Sequence, residues 1–140
     1  MIEKIFNKGL ETIRQLQDTQ TDKIKQASIV IAKAHIEGHK FLVSGSGHSH
    51  TVAEELYGRA GTLAFTTPIL TPELTLTDHP TKSTHLERLE GYAKILAELY
   101  HISSGDVVLI ASNSGRNPYP VELALEAKDC LLYTSPSPRD

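Results

Sequence analysis

At 140 residues, 39% of them hydrophobic and 22% charged, the chain is long enough for one domain with its own core and has an ordinary water-soluble composition. A formal net charge of −3 argues against a nucleic-acid partner. A charged, helix-patterned N-terminus argues against a signal peptide, and no apolar run approaches the roughly 20 residues of a membrane span, so no membrane partner is expected. A single cysteine, Cys130, rules out an internal disulfide and suits the cytosol, so a cytoplasmic protein is expected.

In chain order, Ile2, Ile5, Phe6, Leu10, Ile13 and Leu16 form a one-sided helical stripe. Thr19 to Asp22 reads as a break. A second amphipathic helix with Ile24, Ala27, Ile31 and Ala34 follows, closed by Gly38. Basic residues cluster on neither helix, so they are not a DNA-reading pair, and the stripe suits packing on the sheet and on a second subunit.

Phe41, Leu42 and Val43 then read as a buried strand that runs into Ser44-Gly45-Ser46-Gly47. Thr51 and Glu54 have capping-box spacing, so a helix is expected to open between His48 and Thr51 and continue to Ala60, with Gly61 as its cap. Unpaired N–H groups at such an opening favour an anion, phosphate above all. The Gly45-Ser46-Gly47 pair lacks both the third glycine of a dinucleotide fingerprint and the Gly-Lys-Ser/Thr of a P-loop, which disfavours nucleotides.

Leu63 to Phe65 reads as a short second strand, Thr66 to Thr84 as a long loop, and Leu86 to Tyr100 as a helix broken at Ser103-Ser104-Gly105. Val107 to Ala111 repeats the first pattern, running straight into Ser112, Asn113, Ser114 and Gly115, with Pro118 and Pro120 where a helix begins. Strands alternating with helices predict a three-layer, parallel-sheet, Rossmann-like α/β fold. Both hydroxyl loops then lie at the carboxyl ends of strands, where such sheets bind ligands.

Glu55 and Arg59 follow Thr51 at four-residue steps, beside the apolar line of Val52, Leu56 and Ala60. Glu55 is thus expected to border the core, about 9 Å along the axis from Ser49. It reads either as a base that moves a proton or as half of a surface ion pair. His48 and His50 flank Ser49, and His79 and His85 lie on the long loop, but no metal motif is formed and no cofactor is expected. Glu87 and Glu90 are read as a solvated charged face, and only in second place as acid/base candidates.

With both loops on the page, the chain from about Ala27 to Lys128 resembles a SIS domain, the sugar isomerase fold that binds phosphosugars. GSGHSHTVAEELYGR is similar to the first serine loop and A-E-E-L-x-G-R helix of phosphoheptose isomerases, and LIASNSGRN to their second serine loop. SGRNPY resembles a segment of N-acetylmuramic acid 6-phosphate etherases, and KSTHLERLEGYA a less characterised bacterial group of SIS-domain proteins.

The resemblance implies that Ser49, Ser112, Asn113, Ser114 and Asn117 bind phosphate, with Ser46 and His48 beside them. It implies Glu55 as general base and Arg59 as the neighbouring arginine on the substrate; His50 is a candidate acid/base group, and His48 or His50 also reads as a phosphate contact. Thr51 stands where the isomerases' helix histidine falls, with His50 one position earlier. The implied activity is isomerisation or elimination of a sugar phosphate by proton transfer at carbon, in a homodimer or homotetramer. The alternative is a non-catalytic module that senses a phosphosugar.

The domain is expected to span residues 1–129, with the N-terminal helices as an extension, and to be C-terminally truncated. Residues 130–140, CLLYTSPSPRD, resemble the read-through of a sequencing adapter and are expected to be non-native.

Overall fold

The computed structural model describes residues 1–77, 79 and 81–129, so the expected tail from Cys130 onward, including a strand over Leu131 to Tyr133, lies outside the described residues. The chain opens with α1, Ile2–Ile36, one helix of 35 residues where the sequence suggested two. Thr19 and Thr21 do not interrupt it, because their hydroxyls donate back to the Gln15 and Gln17 carbonyls within the helix, and no glycine or proline stands nearby to force a turn.

β1, Phe41–Gly45, leads through a short 3-10 turn, Gly47–His50, into α2, Thr51–Gly58. β2, Thr66–Ile69, is followed by α3, Lys82–Leu86, and α4, Tyr92–Leu99. β3, Val107–Ala111, and α5, Pro118–Asp129, complete the described chain. The three strands are parallel in the order β2-β1-β3, with Phe41 opposite both Thr66 and Val107, and Gly45 opposite Ala111.

β1 is central and buried throughout. Leu42 faces Ile69, Leu74, Leu96 and Leu123 beneath α4 and α5, whereas Phe41 and Val43 face Ala53 of α2 and Ile31 of α1. Helices therefore cover both faces, which is the expected three-layer α/β architecture. Each fully buried Leu, Ile, Val or Phe among these contributes roughly 1.5–3 kcal/mol. An exposed pair such as Lys8–Glu11 contributes about 0–1 kcal/mol. The sheet, and not the helix surfaces, holds the domain together.

Two elements fall elsewhere than the apolar pattern suggested. β2 begins after Phe65, not before it, because the Thr66 N–H closes a turn on the Leu63 carbonyl and Phe65 stacks on His35 at 3.8 Å. Pro68 within β2 is tolerated at the edge of the described sheet, where one side of the strand needs no ladder donor. The expected helix from Leu86 is divided by a turn in which Gly91 takes φ +81°, a conformation natural to glycine. Leu89, counted in the stripe, is consequently exposed.

At the amino ends of the strands Asp106 ties β1 to β3. It accepts the Lys40 N–H at 2.8 Å and the Ser103 N–H at 3.0 Å, and the Lys40 ammonium lies 3.3 Å away. The same ammonium donates to the Tyr100 and His101 carbonyls at the end of α4, where a cation is favoured. The carboxyl ends of the strands are left for the loops.

Candidate functional site

The order β2-β1-β3 makes the chain leave β1 toward one edge and return on its other side, so the connections after β1 and β3 depart to opposite faces of the sheet. A crevice opens between them at the carboxyl ends, the usual ligand position in such sheets. Register places Gly45 beside Ala111, and so brings Ser46 to His50 next to Ser112 to Asn117.

The first loop is shaped by contact with its own strand. A Cβ on Gly45 would lie 2.5 Å from the Ser49 carbonyl oxygen, so only glycine lets the 3-10 turn fold back this closely. The expected capping box does not form. Ser46, in extended conformation, precedes the turn, and Thr51 is already helical, its hydroxyl donating to the His48 carbonyl at 2.8 Å.

This early turn also resets the phase of α2. His50 and Ala53 are buried and Leu56 half-buried, at three-residue steps, so Glu55 looks outward instead of bordering the core. Glu55 pairs with Arg59 on the exposed surface, with 59% and 71% of their side chains accessible. His50, by contrast, is 5% exposed. Its Nε2 lies 2.8 Å from Glu54 Oε1 but off the hydrogen-bonding direction, leaving both ring nitrogens buried without a hydrogen bond among the described residues.

In the second loop Ser112 Oγ accepts the Gly115 N–H at 3.0 Å, with Gly115 at φ +59°. Ser112, Asn113 and Ser114 are exposed, as is His48, while Ser49 and Asn117 are half-buried. The amino end of α5 offers less than its dipole suggests. Pro118 and Pro120 have no N–H, Tyr119 donates its own to the Glu87 carbonyl at 2.9 Å, and Val121 donates to Asn117. Anion contact at this loop therefore falls to side chains and to loop N–H groups.

Glu87 is the residue whose importance the sequence pattern concealed. Ser46 Oγ donates to one of its carboxylate oxygens and Asn117 Nδ2 to the other, each at 2.7 Å, so a single half-buried carboxylate joins the two loops. Glu87 was expected on a solvated charged face. The turn between α3 and α4 instead brings it over the crevice, where the Gly91 N–H, bound to Glu122 at 2.9 Å, anchors that turn to α5.

Behind the crevice Ser44 and Tyr119 share a buried hydrogen bond of 2.6 Å. Burial pushes the Tyr119 hydroxyl far up, against the opposing influence of Ser44, so it stays neutral.

The outlying histidines have local tasks. His35 stacks on Phe65, and His79 Nδ1 lies 2.8 Å from the Thr81 hydroxyl. No three His, Cys, Asp or Glu side chains converge as a metal set among the described residues.

An α/β sheet with two hydroxyl loops at its switch point defines a class of phosphate-binding domain, and residues 5–134 match the family described as SIS domain. The chain belongs to that family, whose domains bind sugar phosphates. It is 47% identical over 126 residues to the UPF0309 protein BH3325 of Halalkalibacterium halodurans, covering 90% of this chain and 51% of that protein. It is 43% identical over 128 residues to the UPF0309 protein TTE0306 of Caldanaerobacter subterraneus, covering 91% and 50%. With the UPF0309 protein BOV_A0853 of Brucella ovis the identity is 39% over 127 residues, covering 91% and 52%. The chain thus spans about half the length of these curated relatives. No helix among the described residues is long and apolar enough to cross a membrane.

Proposed function

We propose that the crevice between the two loops holds a sugar phosphate, with Ser46, His48, Ser49, Ser112, Asn113, Ser114 and Asn117 forming the phosphate cradle, and that the protein moves a proton at a sugar carbon in an isomerisation or elimination. The observation that carries this reading is the pairing of Gly45 with Ala111, which sets both hydroxyl loops at one switch point. No metal or cofactor is invoked.

His50 and Glu55 are the proposed acid/base groups and Arg59 a substrate contact. Glu55 and Arg59 face solvent in the single chain, so this assignment requires a second surface to enclose them. A second copy supplies it. Ile2, Phe6, Leu10, Ile13 and Ile24 of α1 are all at least half exposed, an apolar stripe that continues into Ile31, packed against Phe41 and Val43 of the sheet, and into the buried Ala34. A homodimer or homotetramer, placed in the cytoplasm, is the proposed assembly, and light scattering of wild type beside Ile13→Glu tests it. A monomeric wild type would remove the enclosure.

The alternative, a non-catalytic phosphosugar sensor, is favoured by the outward Glu55–Arg59 pair. The two separate in a thermal-shift panel of sugar phosphates on wild type, Glu55→Gln and Ser112→Ala, followed by deuterium wash-in from solvent. Ligand binding to the folded state raises the melting temperature. Deuterium on sugar carbon with wild type but not with Glu55→Gln supports the enzyme; stabilisation without exchange supports the sensor.

A further inference from the structure

Ser46 and Asn117 stand on different loops, yet both donate to the Glu87 carboxylate. Both donors are neutral, and no ion pair among the described residues involves Glu87. Among the described residues, therefore, no cation lies within ion-pair distance of this carboxylate, which stands at the junction of two loops otherwise suited to anions. A carboxylate offers about four lone-pair sites, of which these bonds use two. The remaining ones accept hydrogen bonds and donate none.

Resting on the phosphosugar reading above, we propose that Glu87 is the residue that selects the ligand: it accepts hydroxyl hydrogens from the polyol end and repels any second anionic group there. The phosphate is then confined to the part of the cradle away from Glu87, on the Ser112 to Gly115 loop and the His48–Ser49 turn, and Ser46 and Asn117, held by the Glu87 carboxylate, mark the edge of the cradle toward the polyol. The chemical class follows. It is a sugar carrying one phosphate and otherwise neutral hydroxyls, not a bisphosphate or a phosphorylated sugar acid, because like charges a few ångströms apart in a partly desolvated crevice repel strongly.

The test is isothermal titration of wild type and Glu87→Gln with matched probes: fructose 6-phosphate against fructose 1,6-bisphosphate, ribulose 5-phosphate against ribulose 1,5-bisphosphate, and glucose 6-phosphate against 6-phosphogluconate. Glutamine keeps both contacts, its carbonyl accepting from Asn117 and its amide donating to the Ser46 hydroxyl. Wild type is expected to prefer the singly charged-group member of a binding pair by about tenfold or more, and Glu87→Gln to reduce that preference to about threefold or less.

An equal preference in the two proteins, or a wild type that favours the second anion, overturns the proposal and leaves the phosphosugar reading standing. Binding of none of the probes by wild type overturns both. Should Glu87→Gln not fold, wild type alone decides: its preference must shrink as salt is raised, since screening weakens repulsion, and a salt-independent ratio overturns the proposal.

Discussion

Gly45 and Ser49 are in backbone contact: a methyl group on the glycine would sit 2.5 Å from the serine carbonyl oxygen and 2.7 Å from its carbonyl carbon. The end of the central strand and the first hydroxyl loop are therefore packed directly on one another. Gly45→Ala must displace the turn that carries His48, Ser49 and His50. Overpacking of this kind costs about 1–3 kcal/mol. The expected result is a lower melting temperature together with loss of the sugar-phosphate shift, measured by thermal denaturation with and without ligand. An unchanged ligand shift would show that the loop does not need this approach.

The buried Ser44–Tyr119 bond links β1 to α5 directly beneath the crevice. Tyr119→Phe leaves the Ser44 hydroxyl without its partner and is expected to destabilise by about 1–3 kcal/mol in urea unfolding. Adding Ser44→Ala removes the orphaned group, so the double variant should lose less than the sum of the two single variants. Additive losses would mean that the hydrogen bond contributes nothing beyond packing.

Asp106 sets an acid limit on the fold. Burial by itself would raise its carboxyl pKa, but the backbone N–H groups of Lys40 and Ser103, the Lys40 ammonium and the Ser103 hydroxyl outweigh burial and hold it below the ordinary value. A depressed carboxylate contributes stability that is complete above its unfolded pKa of about 3.9 and is lost as pH falls through the lower folded value. Asp106→Asn should accordingly melt lower than wild type at neutral pH, with the gap closing below about pH 4. A gap of constant size across that range would refute the linkage.

His50 sets stability against activity. Among the described residues its two buried ring nitrogens make no hydrogen bond, with only the misdirected Glu54 carboxylate near Nε2, and an unsatisfied buried group costs about 1–3 kcal/mol. His50→Phe, which keeps a ring in place and deletes both nitrogens, is expected to melt no lower than wild type. If His50 moves a proton, the same variant loses solvent-deuterium exchange into sugar carbon while still binding ligand. A stable variant with undiminished exchange would remove His50 from the acid/base pair.

Composition and local pattern were enough to read the layered parallel fold, because a buried parallel strand flanked by helices writes itself as a short apolar run ended by small residues. Phe41 to Gly45 and Val107 to Ala111 follow that rule, and each runs into hydroxyl residues, so both loops could be located from the sequence. The helix-pattern reading failed where non-local contacts set the phase. The fold-back of Ser49 on Gly45 turned α2 so that His50 faces in and Glu55 faces out, and the Gly91 turn divided the helix that Leu86 and Leu89 suggested.

Glu87 shows the same boundary most clearly. Its acceptors and charge are evident from residue type, but Ser46 and Asn117, 41 and 30 residues away, meet it only because the sheet order places three connections at one end. Sequence alone determined the strands Phe41–Gly45 and Val107–Ala111 and which loops carry hydroxyls, since those follow from side-chain pattern over a few residues. Only the tertiary structure decided which charged group enters the crevice, because that depends on how distant turns pack against one another.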